Sequence, residues 1–455
     1  MELISLFTTY VMTGFVGSAS GATVLGAGGY MLHRKYVVKH KLIRYLINVT
    51  EKKFSTRSLV SFENKGNGVS KFKLKVPEGY SVDDMLKLKP AIEDKFDCEI
   101  QVWSEETNFV IEMATNPIPY RLNFEPHKVN EILQEYECAV YLGESRFGHM
   151  LLDFTANSTP HLIFSAPTGG GKSNLVNQAI CGMLQRYDPS ELILHLVDLK
   201  FGVELYPYRN VTHVQGFYET PDEAYEGLQT ILLEIQRRNN LFKRHGVKKL
   251  AEYNEITSEK LPRIVIIADE FAQFSNIADK DFKAEVYTKW EEVLQLGRST
   301  GIHVFIGTQV ADANVFPRQI KGNIDARFGF KYTDEQHSKM VTGGSELLAL
   351  PNIEGRGLYK LGTKMIQTQT PYISPDQMRQ IIEQNNRKKV EVPQSNLKKV
   401  EVQQPTERIV PIEEIRFIPV ENEPKKSLPI NRETSQPSID DLFMSEESFL
   451  KQVSS

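Results

Sequence analysis

Leu162-Ile-Phe-Ser-Ala-Pro-Thr-Gly-Gly-Gly-Lys-Ser173 decides the reading of this chain. An apolar run enters three glycines and leaves through Lys172 and Ser173. The next residues, to Leu184, have helical spacing. A strand, a glycine-rich turn and a helix start make the setting in which a loop cradles phosphates. Gly169, Gly170 and Gly171 let the backbone bend around an anion with no Cβ in the way, and the helix start presents free amides to it. Ala166, Pro167, Thr168 and Asn174 complete the stretch expected to hold a nucleotide. Lys172 is expected on the β and γ phosphates of ATP, and Ser173 on a Mg²⁺ ion. Position 166 is Ala where such loops most often have Gly, which an ordinary backbone angle there tolerates.

A second stretch, Arg263-Ile-Val-Ile-Ile-Ala-Asp-Glu270, is a hydrophobic strand ending in two acids. Asp269 is expected to hold Mg²⁺ through water, and Glu270 to orient and polarise the attacking water as general base. A third strand, Ile302 to Gly307, ends in Thr308 and Gln309, and Gln309 is a candidate γ-phosphate sensor. Arg298, Arg327 and Arg356 lie near these segments, and one of them is expected to reach a neighbouring subunit's nucleotide. His303, inside an apolar strand, reads as structural.

Strands and helices alternate from about residue 140. That pattern predicts an α/β domain with a parallel sheet, helices on both faces, and ligands at the carboxyl ends of the strands. Before it, residues 55–125 read as a small α/β unit, with strands near Val69–Val76, Glu99–Trp103 and Asn108–Met113 and a helix over Val82–Phe96.

The ends differ in character. Leu3 to Leu32 carries no charged residue and is long enough to cross a bilayer, which takes about 20 residues. Basic residues come after it (Arg34, Lys35, Lys39, Lys41, Arg44), which places the rest of the chain on the cytoplasmic side. Residues 1–33 are therefore expected to form a single-pass anchor of the cell membrane, 34–54 a basic juxtamembrane linker, 126–385 the motor domain, and 386–455 a Pro-rich disordered tail. Across 455 residues the net charge is −4, which excludes a polycation. Any nucleic-acid contact must be local. Three cysteines without metal-type spacing (Cys98, Cys138, Cys181) read as buried thiols.

Taken together these segments resemble the FtsK/SpoIIIE-type DNA translocases over about residues 65–370. Tyr141-Leu-Gly143, Pro160-His-Leu-Ile-Phe164, Glu234-Ile-Gln-Arg-Arg-Asn-Asn-Leu-Phe242, Leu261 to Ala272, Gly297 to Gln309, Ile320 to Phe330 and Gly343 to Leu348 match in the family's order. The resemblance implies a RecA-like P-loop ATPase that assembles as a homo-oligomer, a hexameric ring around DNA. Arg327 is the first choice for the arginine acting in trans and Arg298 the second. The expected layout is one span, almost no linker and no winged-helix domain. It is similar to the coupling proteins of conjugative elements in Gram-positive bacteria, which bring a relaxase–DNA complex to the transfer-channel proteins. Segregation of chromosome or plasmid DNA and protein secretion are the alternatives. Lys283, Lys289, Lys321 and Lys331 are candidate pore residues.

Overall fold

The computed structural model describes residues 41–387 except 67, 157 and 158. The expected anchor lies outside the described residues, as does the tail from 388 onward. Among the described residues no helix is long and apolar enough to cross a membrane.

The expected linker is, over its described part, largely a helix. Residues 41–49 form α1, and Leu42, Ile43 and Leu46 are buried in the core of the small unit. Lys41 before them and Arg44 between them obscure this apolar stripe in the sequence. The small unit continues with β1 (Leu59–Gly66), β2 (Val69–Lys75), α2 (Val82–Phe96), β3 (Glu99–Glu105) and β4 (Asn108–Ala114). Its antiparallel sheet has the order β1-β2-β4-β3. Helix α2 starts at a reciprocal cap: Ser81 Oγ accepts from Asp84 N, and the Asp84 carboxylate accepts from Ser81 N at 3.0 Å, which satisfies two otherwise free amides.

The large sheet has ten strands: β5 (Ala139–Ser145), β6 (Gly148–Asp153), β7 (His161–Ser165), β8 (Leu192–Val197), β9 (Val214–Tyr218), β10 (Arg263–Ala268), β11 (Ile302–Thr308), β12 (Ala326–Phe330), β13 (Arg356–Leu361) and β14 (Lys364–Gln369), in the order β6-β5-β14-β13-β12-β7-β11-β10-β8-β9. From β12 to β9 the pairs are parallel. From β12 to β6 they are antiparallel. The sheet is therefore mixed, whereas the strand–helix alternation predicts a parallel one. The antiparallel half is built from two hairpins with no helix between their strands.

Alternate residues of the central strands feed two cores, as the period of a strand dictates. Val265 and Ile267 join Leu175, Val176 and Ile180 of α3 (Lys172–Arg186) on one face. Ile264 and Ile266 join Ile231 and Ile235 of α4 (Pro221–His245) and Trp290 and Val293 of α5 (Lys280–Thr300) on the other. After the short helix Arg318–Gly322 come α6 (Glu335–Thr342) and α7 (Pro375–Arg387), so the motor's last helix ends two residues past the expected boundary at 385.

The small unit is fastened to the motor through the antiparallel half. Gln101 Nε2 donates to Met365 O at 2.7 Å, Gln367 N donates to Glu99 Oε1 at 3.0 Å, and Arg146 pairs with Asp97 at 2.8 Å. All three cysteines are buried and free.

Candidate nucleotide site

Three parallel strands end together. Ser165 of β7 is level with Thr308 of β11, and Ala166 N donates to Thr308 O at 3.2 Å. On the other side of β11, Ala268 of β10 pairs with Ile306. The phosphate loop, Asp269–Glu270 and Thr308–Gln309 thereby share one edge.

Gly171 caps α3 at φ 107°, a left-handed angle that only glycine adopts without strain, and a Cβ there would sit 3.2 Å from the Phe330 ring. The backbone delivers Lys172 to the interior. Its Nζ donates to Asp269 Oδ1 at 2.5 Å and to Asp269 O at 2.9 Å, and both side chains are almost fully buried. Burial pushes the Asp269 carboxyl above its ordinary range, while the Lys172 ammonium pulls it back. Asp269 Oδ2 is buried with no hydrogen-bond partner. A buried, unsatisfied carboxylate oxygen is costly, and hydrated Mg²⁺ held between it and the half-buried Ser173 would relieve that cost.

Glu270, 3% exposed, is held from three sides. Oε1 accepts from Thr308 Oγ1 at 2.8 Å, both oxygens accept from Gln309 N at 3.0 and 3.1 Å, and Lys200 Nζ lies 3.1 Å from Oε2. Gln309 turns toward the phosphate loop, where Thr168 Oγ1 donates to its Oε1 at 3.5 Å. Tyr332 fixes this corner: its hydroxyl donates to Gln309 O at 3.0 Å and meets Ser165 Oγ at 2.5 Å.

Beside Gly171 opens a cleft of about 380 Å³ whose lining includes Tyr120, Arg121, Asn174, Glu354 and Tyr372. It is placed to receive the nucleoside end of a nucleotide whose phosphates lie in the loop. Asn174 works as a brace there: its Nδ2 donates to Pro371 O at 2.7 Å and its Oδ1 accepts from Ile373 N at 3.0 Å. Sequence reasoning missed Tyr120, Tyr372 and Lys200, which no motif marks.

The arginines lie away from the phosphate loop of their own chain. Arg327 is level with Ile163 on β12, half-buried, with Nη1 on the carbonyls of Met340 and Val341 at 3.5 and 3.4 Å. Arg298 is exposed on the last turn of α5, just before β11 begins, and seven strand residues put it on the order of 20 Å from the site. Arg356 is buried between Gln369 and Pro119 O, so its role is internal. His303 donates from Nδ1 to Pro160 O at 3.1 Å and stacks on Phe154, and burial holds it well below the usual histidine range, as a structural residue requires.

The FtsK/SpoIIIE family model matches residues 134–312. DNA translocase FtsK of Bacillus cereus is 28% identical over 364 residues, covering 73% of this chain and 44% of that protein. DNA translocase SpoIIIE of Bacillus subtilis is 30% identical over 244 residues, covering 50% of this chain and 30% of that protein. The chain thus spans less than half the length of these relatives. Among solved structures, the pCW3 conjugation coupling protein TcpA, in its monomer form with ATPγS, is 25% identical, with a TM-score of 0.53 covering 72% of this chain and 92% of that one. The matched residues 134–312 hold the phosphate loop, Asp269–Glu270 and Thr308–Gln309, so the chain is similar to the FtsK/SpoIIIE family over the whole catalytic edge.

Proposed function

We propose that this protein is a membrane-anchored, ATP-driven DNA translocase serving as a coupling protein in conjugative transfer. The observation that carries the reading is the match to a conjugation coupling protein over 92% of that protein's chain.

The chemistry is set by the site. A triphosphate entering the loop offers Lys172 a stronger partner than Asp269. Lys172 would move to the β and γ phosphates, leaving Asp269 free to hold the waters of Mg²⁺. The ion would neutralise charge developing on the phosphates. Glu270 would orient the attacking water, and Gln309 would report the γ-phosphate to the strand end beneath it. A trans arginine, Arg327 before Arg298, would come from the next subunit of a ring.

Coupling to DNA has a short path. The segments that leave Glu270 and Gln309 both lead to a groove of about 520 Å³, lined by Lys280, Lys283, Tyr287, Asn314 and Gln319 among others. It offers cations to a phosphate backbone close to the catalytic edge. Of the expected pore lysines, Lys289 pairs with Glu292, and Lys331 donates to the carbonyls of Leu348 and Leu350. Lys283 likewise donates to Ser275 O at 2.7 Å, so all three are engaged within the chain, which leaves Lys321 as the better candidate.

The second reading, a segregation translocase, is favoured by the relatives named DNA translocase. Replacing the chain by Lys172→Ala in cells tests the choice. Loss of element transfer with normal chromosome and plasmid inheritance supports coupling, and defective inheritance with normal transfer supports segregation.

A further inference from the structure

The loop after β8 contributes a side chain to the catalytic carboxylate that no motif marks. Asp198, fully buried, ties the loop together: Oδ1 accepts from Lys200 N at 3.2 Å, Oδ2 accepts from Leu205 N at 2.8 Å, and its carbonyl accepts from Gly202 N at 3.1 Å. Phe201 sits at φ 61° and Gly202 at φ 70°, so the chain turns back sharply just past Lys200. A left-handed phenylalanine is strained and persists only where its surroundings impose it. The turn sends Lys200 inward, 3.1 Å from Glu270 Oε2. Thr308 and the Gln309 amide engage Glu270 mainly through Oε1. The cationic contact is on the other oxygen.

We infer that Lys200 is a positioning residue for hydrolysis: anchored by Asp198, it holds the Glu270 carboxylate in the orientation from which that group directs the attacking water. The inference rests on Glu270 being the general base. Without Lys200, Oε2 keeps only its share of the Gln309 amide, and the carboxylate can rotate about its last bond. Nucleotide binding stays with the phosphate loop and Lys172, whose ammonium bonds to Asp269 while that of Lys200 pairs with Glu270. Turnover and binding therefore separate.

The test is a cycle of Lys200→Met, Lys200→Arg, Glu270→Gln and Lys200→Met/Glu270→Gln in the full-length chain, reading ATP turnover, affinity for a fluorescent ATP analogue and the unfolding midpoint. Misorienting a general base costs roughly 10- to 100-fold of the 10²–10⁴ such a group supplies. The expected result is that loss of kcat in Lys200→Met with unchanged analogue affinity, together with substantial recovery in Lys200→Arg and a double variant no slower than Glu270→Gln alone. The inference is overturned if Lys200→Met keeps full kcat while Glu270→Gln loses it, if the two losses multiply, or if Lys200→Arg fails to recover turnover in a protein of unaltered unfolding midpoint. If Glu270→Gln itself stays active, the general-base reading falls first, and this inference with it.

Discussion

Glu99→Gln should stabilise the protein above neutral pH and leave it unchanged in acid. Glu99 starts β3 at the junction between the small unit and the motor, 8% exposed. Burial raises its carboxyl from 4.5 to about 7, against the pull of the Gln367 amide hydrogen bond. Between those values the folded chain holds a proton that the unfolded chain has released. Stability therefore falls as pH rises through this window, and the loss is complete above about 7. At about 1.4 kcal/mol per pH unit, the displacement corresponds to roughly 3 kcal/mol. Glutamine keeps an acceptor for Gln367 N and never ionises. Part of the gain is lost in seating its second amide hydrogen, so about 1–3 kcal/mol is expected at pH 8 and within about 0.5 kcal/mol of no change at pH 4.5. Urea unfolding at the two pH values measures this. An equal gain at both would show packing to be the cause, and no gain at pH 8 would show that Glu99 ionises without penalty.

Other outcomes are set by the same contacts. Lys172→Ala should abolish binding of an ATP analogue in a titration, because the phosphates lose their buried cation. Gly171→Ala places a Cβ against Phe330 at a left-handed angle, so a stability loss of about 1–2 kcal/mol in urea unfolding and weakened nucleotide affinity are expected. Removing residues 1–33 should give detergent-free protein that still hydrolyses ATP, and a product soluble only in detergent would contradict the proposed anchor. Removing residues 1–50 also deletes Leu42, Ile43 and Leu46 from a core, and at about 1.5–3 kcal/mol for each buried side chain the small unit should unfold at much lower urea.

Local chemistry was legible in the sequence where it was carried by contiguous residues. The phosphate loop, the strand ending in Asp269 and Glu270 and the strand ending in Thr308 and Gln309 read clearly because apolar runs and their punctuation lie next to each other. Helix α2 and strands β2 to β4 read for the same reason. Residues that the chain brings together from afar did not read. Lys200 is an ordinary lysine until the parallel pairing of β8 with β10 sets its loop beside Glu270. Tyr120 and Tyr372, far apart in the chain, line the cleft beside Gly171 because the backbone at Leu122–Phe124 pairs with Tyr372. Asn174 lies inside the motif, but its amide braces the backbone at Pro371 and Ile373. Helix α1 was hidden because Lys41 and Arg44 make its stretch look like a continuation of the basic run that begins at Arg34.

ATP turnover by the full-length chain, with and without double-stranded and single-stranded DNA and beside the Glu270→Gln variant, tests the central claim most directly. The account predicts hydrolysis stimulated many-fold by at least one DNA form and cut by about 10²- to 10⁴-fold in Glu270→Gln. Folded, oligomerising protein that hydrolyses no ATP with any DNA, or a Glu270→Gln variant as fast as the parent, would contradict it.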